Sequence, residues 1–164
     1  MTFVSTDPQN HQGENIWFTP KEIVKPLGLF DLDVCSVSFR PFDIAKNHIE
    51  FDKGQNAFSF EWGGTIWMNP PYGKEIEPFI KKFMTVENGI GLVFARMGAE
   101  WMQDFLKQGN EIFVLRKRVK FISKEGISGT NAGTDSCFLI RGQEARLKIE
   151  FSGLEGVFIK GQLV

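Results

Sequence analysis

Residues 66–73 read IWMNPPYG, an apolar run that ends in an amide, two consecutive prolines and the chain's only tyrosine. Two prolines offer no backbone donors and hold φ at about −65°, so a central strand cannot continue through them. What they supply is rigidity around a carbonyl. That combination suits a particular chemistry. The lone pair of an amino group on a heteroaromatic base is delocalised into the ring, which makes its nitrogen a poor nucleophile. Two acceptors that take its two N–H bonds favour the pyramidal nitrogen and aim the lone pair at an electrophile such as a methyl donor. Here the Asn69 side-chain oxygen and the Pro70 carbonyl are the acceptors, Pro71 is a stiffener, and Tyr72 is a ring on which a base can stack. No strong base is required, because the product amine sheds its proton after attack. At average composition NPPY arises by chance in roughly one chain of this length in two thousand, so the tetrapeptide is informative by itself.

A motif of this kind needs a rigid element beneath it. Thr65 to Asn69 has the character of a buried strand, and the segment after Gly73 places Ile76, Phe79, Ile80 and Phe83 at the spacing of one helix face. IGLVFAR (90–96) predicts an apolar strand, AEWMQDFLKQG a helix stopped by Gly109, and NEIFVLRKRVKFI a long strand. GISGTNAG (126–133) reads as a glycine-rich loop able to order on a ligand, and DSCFLIRG as a strand followed by two short ones at 147–151 and 157–160. Upstream, FDLDVC (30–35) is a strand, followed by a brief helix near 42–46 and a short strand at 48–51. In FTPKE, Thr19 and Glu22 have the form of a capping box with Pro20 at the first helical position. Pro26 and Gly28 keep that helix short.

Strand and helix alternate through residues 65–122, which predicts a compact single-domain α/β fold with a mainly parallel sheet and helices on both faces. Residues 1–14 read as a flexible arm and 15–164 as the domain. Ligands of such sheets bind beyond the carboxyl ends of the strands. Three such ends, Asp33 to Ser36, Asn69 to Tyr72 and Ala95 to Met97, define one rim.

Composition narrows the class. With 164 residues, 42% hydrophobic and 24% charged, the chain suffices for one core. A net charge of −1 excludes a bulk polycation, yet RKRVK (116–120) concentrates positive charge, and Lys81 and Lys82 follow the opening motif. Cys35 and Cys137 lie far apart in apolar segments and read as reduced core thiols. With only His11 and His48 to add, no zinc spacing appears and no metal is expected. No membrane-length apolar run and no signal-peptide pattern is present, so an intracellular protein is expected.

The ordered blocks WFTP (17–20), FDLDVCS (30–36), WMNPPYG (67–73), FAR followed by Trp101, and RKRVKF (116–121) resemble the phage-encoded DNA N6-adenine methyltransferases, over residues 15 to about 140. The resemblance implies a Rossmann-like methyltransferase fold and site-specific transfer of a methyl group from S-adenosylmethionine to the N6 amino group of adenine in DNA. It implies a target base flipped out or unpaired, and action in the cytoplasm of a bacterial host. Carried over residue by residue, Trp17, Thr19 and Pro20 belong to the cofactor pocket. Asp33 and Cys35 stand at the cofactor end of the first strand, and Asn56 near the cofactor's adenine. Glu50 and Asp52 are candidates for the ribose hydroxyls. Phe121 would close the second face of the flipped base, with Arg118 and Lys120 on phosphates. Arg96, at a strand end on the rim, would contact substrate or phosphate. The chain departs from the wider superfamily in having VCSVSFRP (34–41) where a glycine-rich loop is usual. RNA bases and protein glutamine amides also present planar conjugated NH2 groups, so both stay open as alternative substrates. An inactive nucleic-acid-binding relative stays open as well.

Overall fold

The computed structural model describes residues 3–4, 16–123, 126 and 134–162. In chain order the first elements are β1 (Phe3–Val4), β2 (Ile16–Phe18) and α1 (Lys21–Val24), the last continued by a 3-10 turn at Lys25–Leu27. Then come β3 (Phe30–Ser36), β4 (Ala45–Glu50), β5 (Thr65–Met68), α2 (Ile76–Phe83) and β6 (Asn88–Phe94). The last part holds α3 (Glu100–Lys107), β7 (Glu111–Leu115), β8 (Ile122–Ser123), β9 (Ser136–Arg141), α4 (Gly142–Glu150) and β10 (Gly156–Lys160). Apart from Phe3 and Val4 in β1, the segment expected as an arm lies outside the described residues. So does the glycine-rich loop, except Gly126.

Seven strands form the main sheet in the order β10-β7-β9-β6-β5-β3-β4, and β1-β2-β8 form a small second sheet. The four strands from β4 to β6 pair in parallel, as expected. The remaining pairs of both sheets are antiparallel, five of the eight in all, so the expectation of a mainly parallel sheet is corrected. The described residues between Arg116 and Asp135 hold no helix. A parallel return needs a crossover, usually helical, whereas β9 runs back between β6 and β7, and both of its pairs are antiparallel.

The step from β3 to β4 is different again. These strands are parallel neighbours with Phe30 beside Ala45, so Val37–Ile44 must return along the whole of β3. Eight extended residues reach about 26–29 Å, whereas eight helical ones reach about 12 Å. The connection is therefore an extended strap, and Pro41 keeps Arg40 out of the helical region. The helix expected near 42–46 does not form. Buried Val37 and Ile44 fasten the strap to the fold, and Arg40 ties it together through the Val37 carbonyl (3.0 Å), Asp43 (2.7 Å) and Glu50 (2.7 Å).

Helices cover both faces, as the sequence predicts. Ile76, Phe79, Ile80 and Phe83 of α2 pack with Met102 and Phe105 of α3 on one side. Val24 and Leu27 of the α1 segment and Ala145 and Ile149 of α4 pack on the other. The strand expected at 147–151 is corrected to α4. Its local alternation gives way to burial of Ala145 and Ile149, four apart on one helix face. The long strand expected at 110–122 breaks after Leu115, where three consecutive cationic side chains leave no face to bury. No helix among the described residues is long and apolar enough to cross a membrane.

Candidate active site

All four residues of β5 are buried, and the strand delivers Asn69, with no exposed surface, to the carboxyl edge of the sheet. Pro70 and Pro71 end the ladder there. Gly73 then takes φ 92°, a conformation that glycine adopts without strain, and turns the chain into α2. Asn69 is held from two sides. Its Nδ2 donates to Thr19 Oγ1 at 3.3 Å, across the gap from β5 to the turn between β2 and α1. Its backbone N–H is directed to the sulfur of Cys35 on the adjacent β3. The Oδ1 atom is fully buried and accepts a hydrogen bond from no described residue. Leaving such an acceptor unmet costs about 1–3 kcal/mol, so native proteins rarely do it without a ligand or a function in view.

The Thr19 contact also corrects the capping box. Pro20 is the N-cap residue of α1 and no side chain caps it. Ile23 and Val24 donate to the Pro20 carbonyl, and the Thr19 hydroxyl lies against Asn69 instead.

Tyr72 is buried and stacks on Phe94, with ring centroids 4.1 Å apart and planes 24° apart. Phe94 meets Phe121 edge-on at 6.4 Å, and the Arg96 guanidinium lies 5.9 Å from the centre of the Phe94 ring. Burial, with Cys137 nearby, raises the Tyr72 phenol well above its ordinary pKa, so it is neutral at physiological pH. The ends of β5 and β6 and the approach to β8 thus bring Tyr72, Arg96 and Phe121 together. Phe94, which joins them, is the residue that sequence reasoning missed. The available signal was an aromatic ring closing an apolar strand two residues before Arg96.

Asp33 is wholly buried midway along β3, where its Oδ1 accepts from the Cys35 backbone N–H at 3.1 Å. Burial and the Asp33 charge push the Cys35 thiol well above its ordinary range, and burial takes Cys137 up to about 12. Both thiols are free and buried, and neither is a nucleophile at neutral pH. Trp17 is half-buried on β2, and Pro20, three residues on, is buried. Edge-on packing of Phe18 with Phe39 (6.5 Å) brings the strap to the same edge. Glu50 accepts from Arg40 and pairs with Lys53, while Asp52 accepts from the backbone and hydroxyl of Ser38. Asn56 is exposed and uses its Oδ1 to cap a 3-10 turn through the Phe58 N–H at 2.9 Å. Its Oδ1 is thus engaged within its own turn.

On the α1 side, Pro20, Glu22, Ile23, Lys117, Arg118, Val119 and Lys120 line a surface cavity of about 470 Å³. Lys120 is exposed, and Arg118 pairs with Asp135 at 3.0 Å. Phe121 is buried at the root of this basic segment. No group of three potential metal ligands occurs among the described residues.

No curated protein and no solved structure gives a significant match. The family model described as DNA N-6-adenine-methyltransferase (Dam) matches residues 6–152, nearly the whole chain, including every candidate residue named above. With a buried amide acceptor at the end of β5 and an aromatic cluster beside it, on a mixed α/β sheet consistent with a methyltransferase-like fold, this chain belongs to the DNA N-6-adenine-methyltransferase (Dam) family.

Proposed function

We propose that this chain transfers a methyl group from S-adenosylmethionine to the N6 amino group of adenine at specific sites in DNA. The observation that carries this reading is the buried Asn69 Oδ1, an acceptor with no donor among the described residues, placed at the end of a parallel strand. An adenine amino group supplies the missing donor. One N–H goes to Asn69 Oδ1 and the other to the Pro70 carbonyl, which the proline rings hold still. Both bonds draw the nitrogen lone pair out of conjugation, and the amine loses one proton after attack. Tyr72, backed by Phe94, orients the base. Phe121 closes its other face, and Arg96, Arg118 and Lys120 take phosphates of a strand from which the base has been flipped.

The donor set suits the cofactor. A wholly buried carboxylate, Asp33, complements a cationic ligand, and Trp17, Pro20 and Phe39 offer apolar surface. Trp17, Thr19, Pro20, Asp33 and Cys35 would hold S-adenosylmethionine, with the Nδ2 of Asn56 toward its adenine. When bound, it supplies an electrophilic methyl group on sulfur. The strap Val37–Ile44 stands in for a glycine-rich loop. On this reading the enzyme works in the cytoplasm of a bacterial host, where the DNA is.

The test is transfer of labelled methyl groups to separate DNA, RNA and protein pools. Label should enter N6-methyladenine in DNA, and Asn69→Ala should lower the rate by at least about a hundredfold without unfolding the protein. Persistent transfer by Asn69→Ala, or label confined to RNA or protein, would overturn the reading.

A further inference from the structure

On a surface that takes DNA, cations need no further account, but a carboxylate does. Along a DNA strand the phosphates and sugars offer acceptors only, so an acidic side chain set among them lowers affinity. The donors that DNA does offer are the N–H groups of its bases.

Glu22 is such a carboxylate. It is exposed on α1 and lines the cavity of about 470 Å³ together with Lys117, Arg118 and Lys120. Although three cations share that cavity, Glu22 forms no ion pair with a described residue, and Arg118 pairs with Asp135 instead. Nor does Glu22 serve the helix as its sequence context suggests. In a capping box the glutamate accepts from the backbone N–H of the N-cap residue, and here that residue is Pro20, which has none. Both walls of the cavity begin one residue from the target-base site. Pro20 follows Thr19, whose hydroxyl meets Asn69, and Lys120 precedes Phe121, whose ring meets Phe94.

We propose that Glu22 is a specificity-determining residue that accepts a hydrogen bond from the amino group of a cytosine flanking the target adenine. Among the bases, cytosine suits a carboxylate best. The amino groups of adenine and guanine lie beside a ring-nitrogen acceptor, N7 and N3 respectively, which repels negative charge, whereas that of cytosine lies beside a C–H. The proposal rests on the reading of this chain as a DNA adenine methyltransferase and adds a contact that chooses where it acts.

Two variants test it. Both keep the fold, because the side chain is exposed and has no partner among the described residues. Each protein is given labelled S-adenosylmethionine and a pool of duplexes carrying one adenine between randomised bases. Methylated duplexes and bound duplexes are then sequenced separately. The wild type should favour cytosine over thymine about tenfold at one flanking position. Glu22→Ala should lose that preference and keep any others. Glu22→Gln should move it toward adenine, whose N6 and N7 an amide takes together. Simple repulsion of phosphates gives a different result: both variants would bind every sequence more tightly, with the preference intact. That result overturns the proposal, as does a wild type indifferent to every flanking base.

The bound pool distinguishes this failure from that of the functional reading. Cytosine enrichment that depends on Glu22, in a protein that labels no adenine, would uphold the role of Glu22 and remove the functional reading. N6-methyladenine with the same flanking bases in all three proteins would overturn the proposal and leave the functional reading standing. No enrichment and no labelled adenine would overturn both.

Discussion

At the scale of single residues, the site depends on side chains that meet across long stretches of chain. Asn69 and Tyr72 were legible in the sequence because their chemistry is local: an amide, two rigid rings and an aromatic in four consecutive positions. Thr19 and Phe94 were not legible in the same way. The partner of Thr19 lies 50 residues away, and nothing in FTP tells a hydroxyl used as a cap from one used on another strand. Phe94 reads as one more apolar residue of β6 until its ring is seen against Tyr72. Its role can be tested with little change in volume. Phe94→Leu should cost about 1 kcal/mol of stability, the worth of an aromatic pair beyond its buried area, measured by urea unfolding. It should also raise the KM for DNA several-fold, because Tyr72 loses the ring that fixes its plane.

At the scale of elements, the decisive units are those that hold strand ends together. Asp31 on β3 is one of them. It accepts from the backbone N–H and hydroxyl of Thr65 at 2.8 Å each and pairs with Lys46 at 2.7 Å, linking β3 to both parallel neighbours. Gly64 makes the contact possible: its φ is 74°, and a Cβ there would lie 2.6 Å from the Asp31 carboxylate. Lys46 first, and then Thr65, hold the Asp31 carboxyl well below its usual value of 3.8. The sign follows. A carboxyl whose pKa is depressed by folding stabilises the protein fully above the unfolded value, and that stabilisation fades as pH falls below it. Asp31→Asn should therefore lower the melting temperature by about 2–4 °C near neutral pH, for a loss of about 1 kcal/mol. The gap should narrow when both proteins are melted at about pH 3. Helices α2 and α3 were legible from apolar spacing alone. The strap was not, because its extended form is imposed by the distance from the end of β3 to the start of β4. Helix α4 was obscured by a short alternation that tertiary burial overrode.

At the scale of the whole molecule, net charge and sheet order say different things about DNA. A charge of −1 gives no general attraction to a polyanion, so attraction must be local. Lys117, Arg118 and Lys120 gather at one cavity beside the turn that carries Thr19, while Glu50, Asp31 and Glu111 are engaged elsewhere by Arg40, Lys46 and Arg146. Replacing Arg118 and Lys120 together with glutamate should weaken DNA binding at least tenfold and flatten its dependence on salt by about one unit of slope for each phosphate no longer neutralised. Fluorescence anisotropy over a range of salt concentrations reads both quantities. At saturating DNA, kcat should change far less. Sheet order was the least legible level. Alternation of strand and helix announced the parallel half, but the reversal at β9 is a property of the connection before it, whose length and glycine content fit either direction.

The unmet acceptor at Asn69 has a consequence for how this molecule can change. A buried oxygen kept without a donor weakens folding by about 1–3 kcal/mol, a penalty that, on the proposed function, the substrate's amino group removes. Selection for heat resistance alone would find its gain at this position, since an apolar residue of similar size relieves the penalty at once. The most durable descendant of this protein is therefore expected to be a silent one. Activity persists at this position only while something in the life of the chain keeps demanding it.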